Sequence, residues 1–167
     1  MQVSSKTNTK ALVQRLVAAG LPGGRGLDAW TALLTAHATL IRQLESDLEK
    51  ETGLALADFD VLAQLAVAGG SMRMSELADR ALISRSGMTR RVARLFNEGL
   101  VCRAEVDTDA RAVVVALTDT GIARLKETAP VHARGISKLF VDKLNDKELA
   151  VLERALDKVI ISGCNFG

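Results

Sequence analysis

The chain has 167 residues, of which 48% are hydrophobic and only 3% aromatic, and a formal net charge of +2. That length suits one domain with added helices, and the composition supplies an aliphatic core. A charge so near neutral excludes nucleic-acid capture by a global field, so any such affinity has to come from a local patch. The N-terminal MQVSSKTNTK has no apolar signal core, and no later run of about 18 apolar residues is present to span a bilayer. Two cysteines, Cys102 and Cys164, make neither a disulfide framework nor a metal spacing. These features lead us to expect a cytoplasmic protein with no membrane partner.

A polar start is followed by a short helix over Thr9–Ala19 and the breaker-rich linker GLPGGRG, a flexible joint. The next helix is predicted from Asp28 to about Glu51, because Trp30, Leu33, Leu34, His37, Ile41, Leu44 and Leu48 recur at three- and four-residue steps. Gly53 ends it. Ala57–Ala68 forms another helix with Phe59, Leu62 and Leu65 inward, closed by Gly69 and Gly70. Met74–Ile83 reads as a short helix with Ser75 as N-cap and Glu76 in the first turn, where the helix dipole favours an acid.

Ser84 then caps a basic helix, SRSGMTRRVARLFN, which carries Arg85, Arg90, Arg91 and Arg94 and no acid. Met88, Val92 and Leu95 form its apolar stripe. Ser86, Thr89, Arg90, Ala93 and Arg94 form an outer face small and cationic enough to lie against DNA, with arginines reaching phosphates or guanine edges. Two short helices joined this tightly make a helix-turn-helix. Gly99 ends the second in a left-handed conformation. The β-rich runs Leu100–Glu105 and Ala112–Leu117, separated by the charged VDTDAR, make a hairpin, so the whole reads as a winged helix. Asp119–Leu144 is the next helix, with a kink or break expected near Ala129 because Pro130 removes a backbone hydrogen bond. Asn145 caps the last helix, Asp146–Ile161, with its stripe at Leu149, Leu152, Leu156, Val159 and Ile160.

The segments SELADRALI, SRSGMTRRVARLFNEGLV, DAR and LTDTG, in this order, resemble the MarR (multiple antibiotic resistance regulator) family of bacterial transcriptional regulators over roughly Leu27 to Ile161. Asp109, Arg111, Leu117, Thr118 and Gly121 match the family's wing pattern, while Ala110 stands where many relatives carry a base. The resemblance implies a homodimeric, sequence-specific DNA-binding regulator, a repressor, on a pseudo-palindromic operator. It implies that Arg111 enters the minor groove while Asp109 orients it. It also implies a small, often anionic aromatic effector bound between the dimerisation helices and the DNA-binding lobe, where Trp30, His37, Arg42 and Phe59 are candidate lining residues.

The expected fold class is mainly α with a small β-hairpin wing, flanked by dimerisation helices at both ends. Its expected parts are an extension and linker over 1–26, a dimerisation helix over 27–56, the winged helix-turn-helix over 57–118 and C-terminal dimerisation helices over 119–167. The long terminal helices carry apolar stripes with no partner inside the motif, which a two-fold dimer would cover. The candidate DNA contacts are Ser84, Arg85, Ser86, Thr89, Arg90, Arg94 and Arg111. Every cation between Lys50 and Lys126 is arginine, which suits bidentate recognition but is equally a product of a GC-rich genome. Two alternatives remain: a winged-helix interaction module that does not read DNA, and a redox-sensing regulator using Cys102 or Cys164. His37 and His132 lie on different helices without clustered ligands, so no metal is expected. No nucleophile elbow, phosphate-cradling glycine loop or HExxH occurs, so neither an enzyme nor a cofactor is expected.

Overall fold

The computed structural model describes residues 4–21, 25–81, 84–104 and 113–163. Two compact units divide the chain, Met1–Arg42 and Gln43–Gly167. The first holds α1 (Ser4–Ala19), which begins earlier than the expected Thr9, and α2 (Leu27–Thr52) as far as Arg42. On α1, Leu12, Leu16 and Val17 are exposed. On α2, Trp30 is 57% exposed, and Leu33, Leu34 and Ile41 are exposed with it. The predicted stripe is present along α2, and within this unit it faces outward.

The second unit begins on the C-terminal turns of α2, where Leu44 and Leu48 are buried. Around them the chain builds α3 (Leu56–Val67), β1 (Ser71–Arg73), α4 (Met74–Arg80), α5 (Arg85–Asn97), β2 (Val101–Ala104), β3 (Val114–Leu117), α6 (Asp119–Leu139) and α7 (Asp146–Gly163). The core gathers Phe59, Val61, Leu62 and Leu65 of α3 with Leu77, Met88, Leu95, Val101 and Val115. Residues buried on α3 follow the helical period expected from their sequence.

The hairpin is present, but the sheet has three strands in the order β1-β3-β2, all antiparallel. β1, which the sequence reading missed, pairs Ser71 with Ala116 and Arg73 with Val114. Gly69 and Gly70, at φ 86° and 100°, turn the chain out of α3 into this strand. Such angles are costly for any residue with a Cβ.

Two expected boundaries move. Ser75 does not cap α4; Arg73 holds that position without a side-chain bond, and the Met74 N–H instead donates to the Val113 carbonyl at 2.8 Å. The incoming strand thus satisfies the helix end, so a capping side chain is not required. Nor does α6 break at Ala129: it continues through Pro130 to Leu139, followed by a 3-10 turn over Val141–Lys143. Leu125, Ala129, Val131 and Leu139 pack against the core on both sides of the proline, and this packing holds the helix together across the lost hydrogen bond. The Asn145 cap forms as predicted: its Oδ1 accepts from Lys147 and Glu148 N–H, and Glu148 returns a bond from the Asn145 N–H at 2.9 Å.

Candidate nucleic-acid interface

The surface expected to meet DNA is α5, and its local chemistry explains both ends of the helix. Ser84 Oγ accepts from the Gly87 N–H at 3.2 Å, a side-chain N-cap. At the other end Leu100 N–H donates to the Leu95 carbonyl at 2.9 Å and Gly99 N–H to the Phe96 carbonyl at 3.0 Å. With Gly99 at φ 71°, this is a Schellman motif, closed by the buried pair Leu95 and Leu100. A helix pinned at both ends presents a fixed face.

Met88, Val92 and Leu95 are buried, as the stripe predicted. Ser84, Arg85, Ser86, Thr89, Arg90 and Ala93 are exposed. The Ser84 and Ser86 hydroxyls lie 3.3 Å apart, and Thr89 Oγ1 donates to the Arg85 carbonyl at 2.9 Å. Neither Arg85 nor Arg90 has an ion-pair partner among the described residues. Their guanidiniums are available to an anion from outside.

Arg94 is exposed on the rim of the outer face, but unlike Arg85 and Arg90 it has an ion-pair partner. It pairs with Asp58 Oδ2, while Arg91 donates from Nη1 to Asp58 Oδ1 at 2.7 Å. Asp58 is 3% exposed and sits in the first turn of α3, where the helix dipole favours its charge. Position on the helix explains the pairing. At about 100° per residue Arg94 falls only about 40° from Arg90, at the edge of the outer arc, within reach of an acid 36 residues upstream. Asp58 itself was overlooked because an acid early in a helix reads as an ordinary first-turn charge.

Asp109 and Arg111, the wing pair, lie outside the described residues, as does Cys164. The exposed Arg103 of β2 lies on the strand that leads towards the wing. Cys102 is a half-buried free thiol lining, with Val92, Phe96 and Val115, a cleft of about 330 Å³ between α5 and the sheet.

The candidate effector residues fare unequally. Trp30, His37 and Arg42 are exposed in the first unit. Phe59, in the second, is 7% exposed and packs on His132 with ring centroids 4.6 Å apart, so it is core. Burial holds His132 below the ordinary histidine range, an effect opposed by the nearby Asp60 carboxylate. Among the described residues no three His, Cys, Asp or Glu side chains gather as a metal site. No described helix is long and apolar enough to cross a membrane.

Comparison with known proteins is consistent with this geometry. The family model described as MarR family matches residues 52–112, from the end of α2 into the wing. An uncharacterized HTH-type transcriptional regulator of Bacillus cereus is 32% identical over 117 residues, covering 70% of this chain and 77% of its own. Among solved structures, AbsC, a MarR family transcriptional regulator from Streptomyces coelicolor, is similar with a TM-score of 0.76 and 30% identity, over 82% of this chain and 93% of that one. Sco3205, a MarR family transcriptional regulator from the same organism solved in complex with DNA, is similar with a TM-score of 0.74 and 29% identity, over 81% and 84% of the two chains.

Proposed function

The chain belongs to the MarR family of helix-turn-helix transcriptional regulators, and we propose that it acts as a homodimeric repressor reading a pseudo-palindromic operator through α5. The observation that carries this reading is the outer face of α5. Ser84, Arg85, Ser86, Thr89 and Arg90 stand exposed on a helix anchored by Met88, Val92 and Leu95, with two guanidiniums unpaired among the described residues. Serine and threonine allow close approach to a groove floor, and arginine reads guanine bidentately. The wing arginine, Arg111, is assigned the neighbouring minor groove, where a narrow groove focuses negative potential.

Two-fold symmetry fits the exposed apolar side chains of α1, α2 and α7, and places half-sites roughly 10 bp apart. Repression then follows if the operator overlaps a promoter. Release by a small aromatic acid is assigned to the exposed Trp30, His37 and Arg42 of α2. Trp30 is the one tryptophan in the sequence, so its emission reports on binding directly.

The test is fluorescence anisotropy with duplexes from the region upstream of the gene. Arg90→Ala and Thr89→Ala should each weaken specific binding by about 1–3 kcal/mol, or about 5- to 150-fold, with melting curves unchanged. Operator affinity unaltered in both variants overturns the assignment of this face.

A further inference from the structure

We propose that Asp58 limits the grip of α5 on DNA of any sequence, by holding Arg94 back from the phosphates. The inference rests on the reading of α5 as the DNA-facing helix.

α5 carries four arginines and no acid. Asp58 supplies the missing negative charge from another helix, one oxygen to Arg91 and the other to Arg94. The two arginines are held differently. The Arg91 side chain is 25% exposed and lies beside the buried stripe, whereas that of Arg94 is 51% exposed at the rim of the outer arc. Asp58 cannot follow Arg94 outward, because its own side chain is 4% exposed and bound to Arg91 as well. Released from Asp58, Arg94 would stand about 40° round the helix from Arg90, as one more cation facing the duplex.

A phosphate cation raises affinity for every sequence alike, and its contribution appears as counterion release. A regulator is useful only in proportion to its preference for the operator over the excess of other sites. Asp58 therefore acts as a positioning residue for specificity: it leaves Arg85 and Arg90 to the DNA and withdraws Arg94.

The experiment is a salt titration of the full chain on a mixed-sequence duplex of roughly three helical turns, followed by anisotropy. Asp58→Asn should bind this duplex more tightly and steepen the slope of log affinity against log salt by about 0.9, the increment for one added phosphate contact. Arg94→Gln alone, which keeps a donor for Asp58, should leave the slope as it is. The double variant should restore the slope of the parent protein. A natively melting Asp58→Asn with an unchanged slope overturns the proposal, and so does a slope reduced by Arg94→Gln alone. If Asp58→Asn does not fold, the Arg94→Gln result decides by itself. Arg90→Ala in the same titration reports separately on α5: it should lower the slope by about 0.9, and no change there would overturn the helix reading instead.

Discussion

Thr118 and Gly121 show how closely single residues bind the sheet to α6. The Thr118 hydroxyl donates to the Gly99 carbonyl at 2.6 Å and accepts from the Gly121 N–H at 3.0 Å. Gly121 is buried, and a Cβ there would overlap the Leu100 carbonyl, a backbone atom that cannot rotate away. Gly121→Ala should therefore destabilise the fold by about 1–3 kcal/mol, the usual cost of overpacking, as read from the urea midpoint. His132 makes a different residue-scale prediction. Its pKa is lowered by burial against the opposing effect of Asp60. Below about 6.5, the ordinary histidine value, the unfolded chain takes up a proton that the folded chain resists. Stability tied to this group is thus complete above that pH and declines as pH falls towards the folded pKa. His132→Phe keeps the contact with Phe59 and should flatten this part of the profile; an equal loss in parent and variant between pH of about 7.5 and about 5.5 would exclude it.

At the scale of elements, α5 is a helix whose two ends are specified locally and whose orientation is specified from α3. Removing the Ser84 hydroxyl leaves the Gly87 N–H without its acceptor. Ser84→Ala should cost about 1 kcal/mol and Ser84→Gly only a few tenths, a ranking readable by chemical denaturation; equal costs would mean that the cap contributes nothing. The ion pairs of the second unit differ in weight. Glu76 and Arg80, both exposed on α4, add only a small i,i+4 increment. Asp58, buried under two arginines, ties α3 to α5.

For the whole molecule, the unanswered faces are the terminal helices. Val151, Val159 and Ile160 of α7 are 57%, 63% and 62% exposed. Exposed apolar surface of this kind is costly in water, and a symmetric pair would cover it. Sedimentation should find a dimer, and truncation after Leu144 should weaken or abolish it. A stable, DNA-binding monomer from that truncation would refute the assignment.

The order of helices, the hairpin, the inward stripe of α5 and the caps at Ser84, Asn145 and Gly99 were all determined by the sequence alone. Each depends on residues within a turn or two of one another, where periodicity, capping chemistry and left-handed glycine act directly. Three features were decided only by the tertiary structure. Ser71–Arg73 is too short to show alternation and becomes a strand because β3, more than forty residues on, offers it partners. α6 continues past Pro130 because the core is packed against both of its halves. Arg94 was legible as a basic residue at the rim of a helix, but its partner was not. An acid 36 residues away, buried in another helix, pairs with it, and no local pattern carries that information.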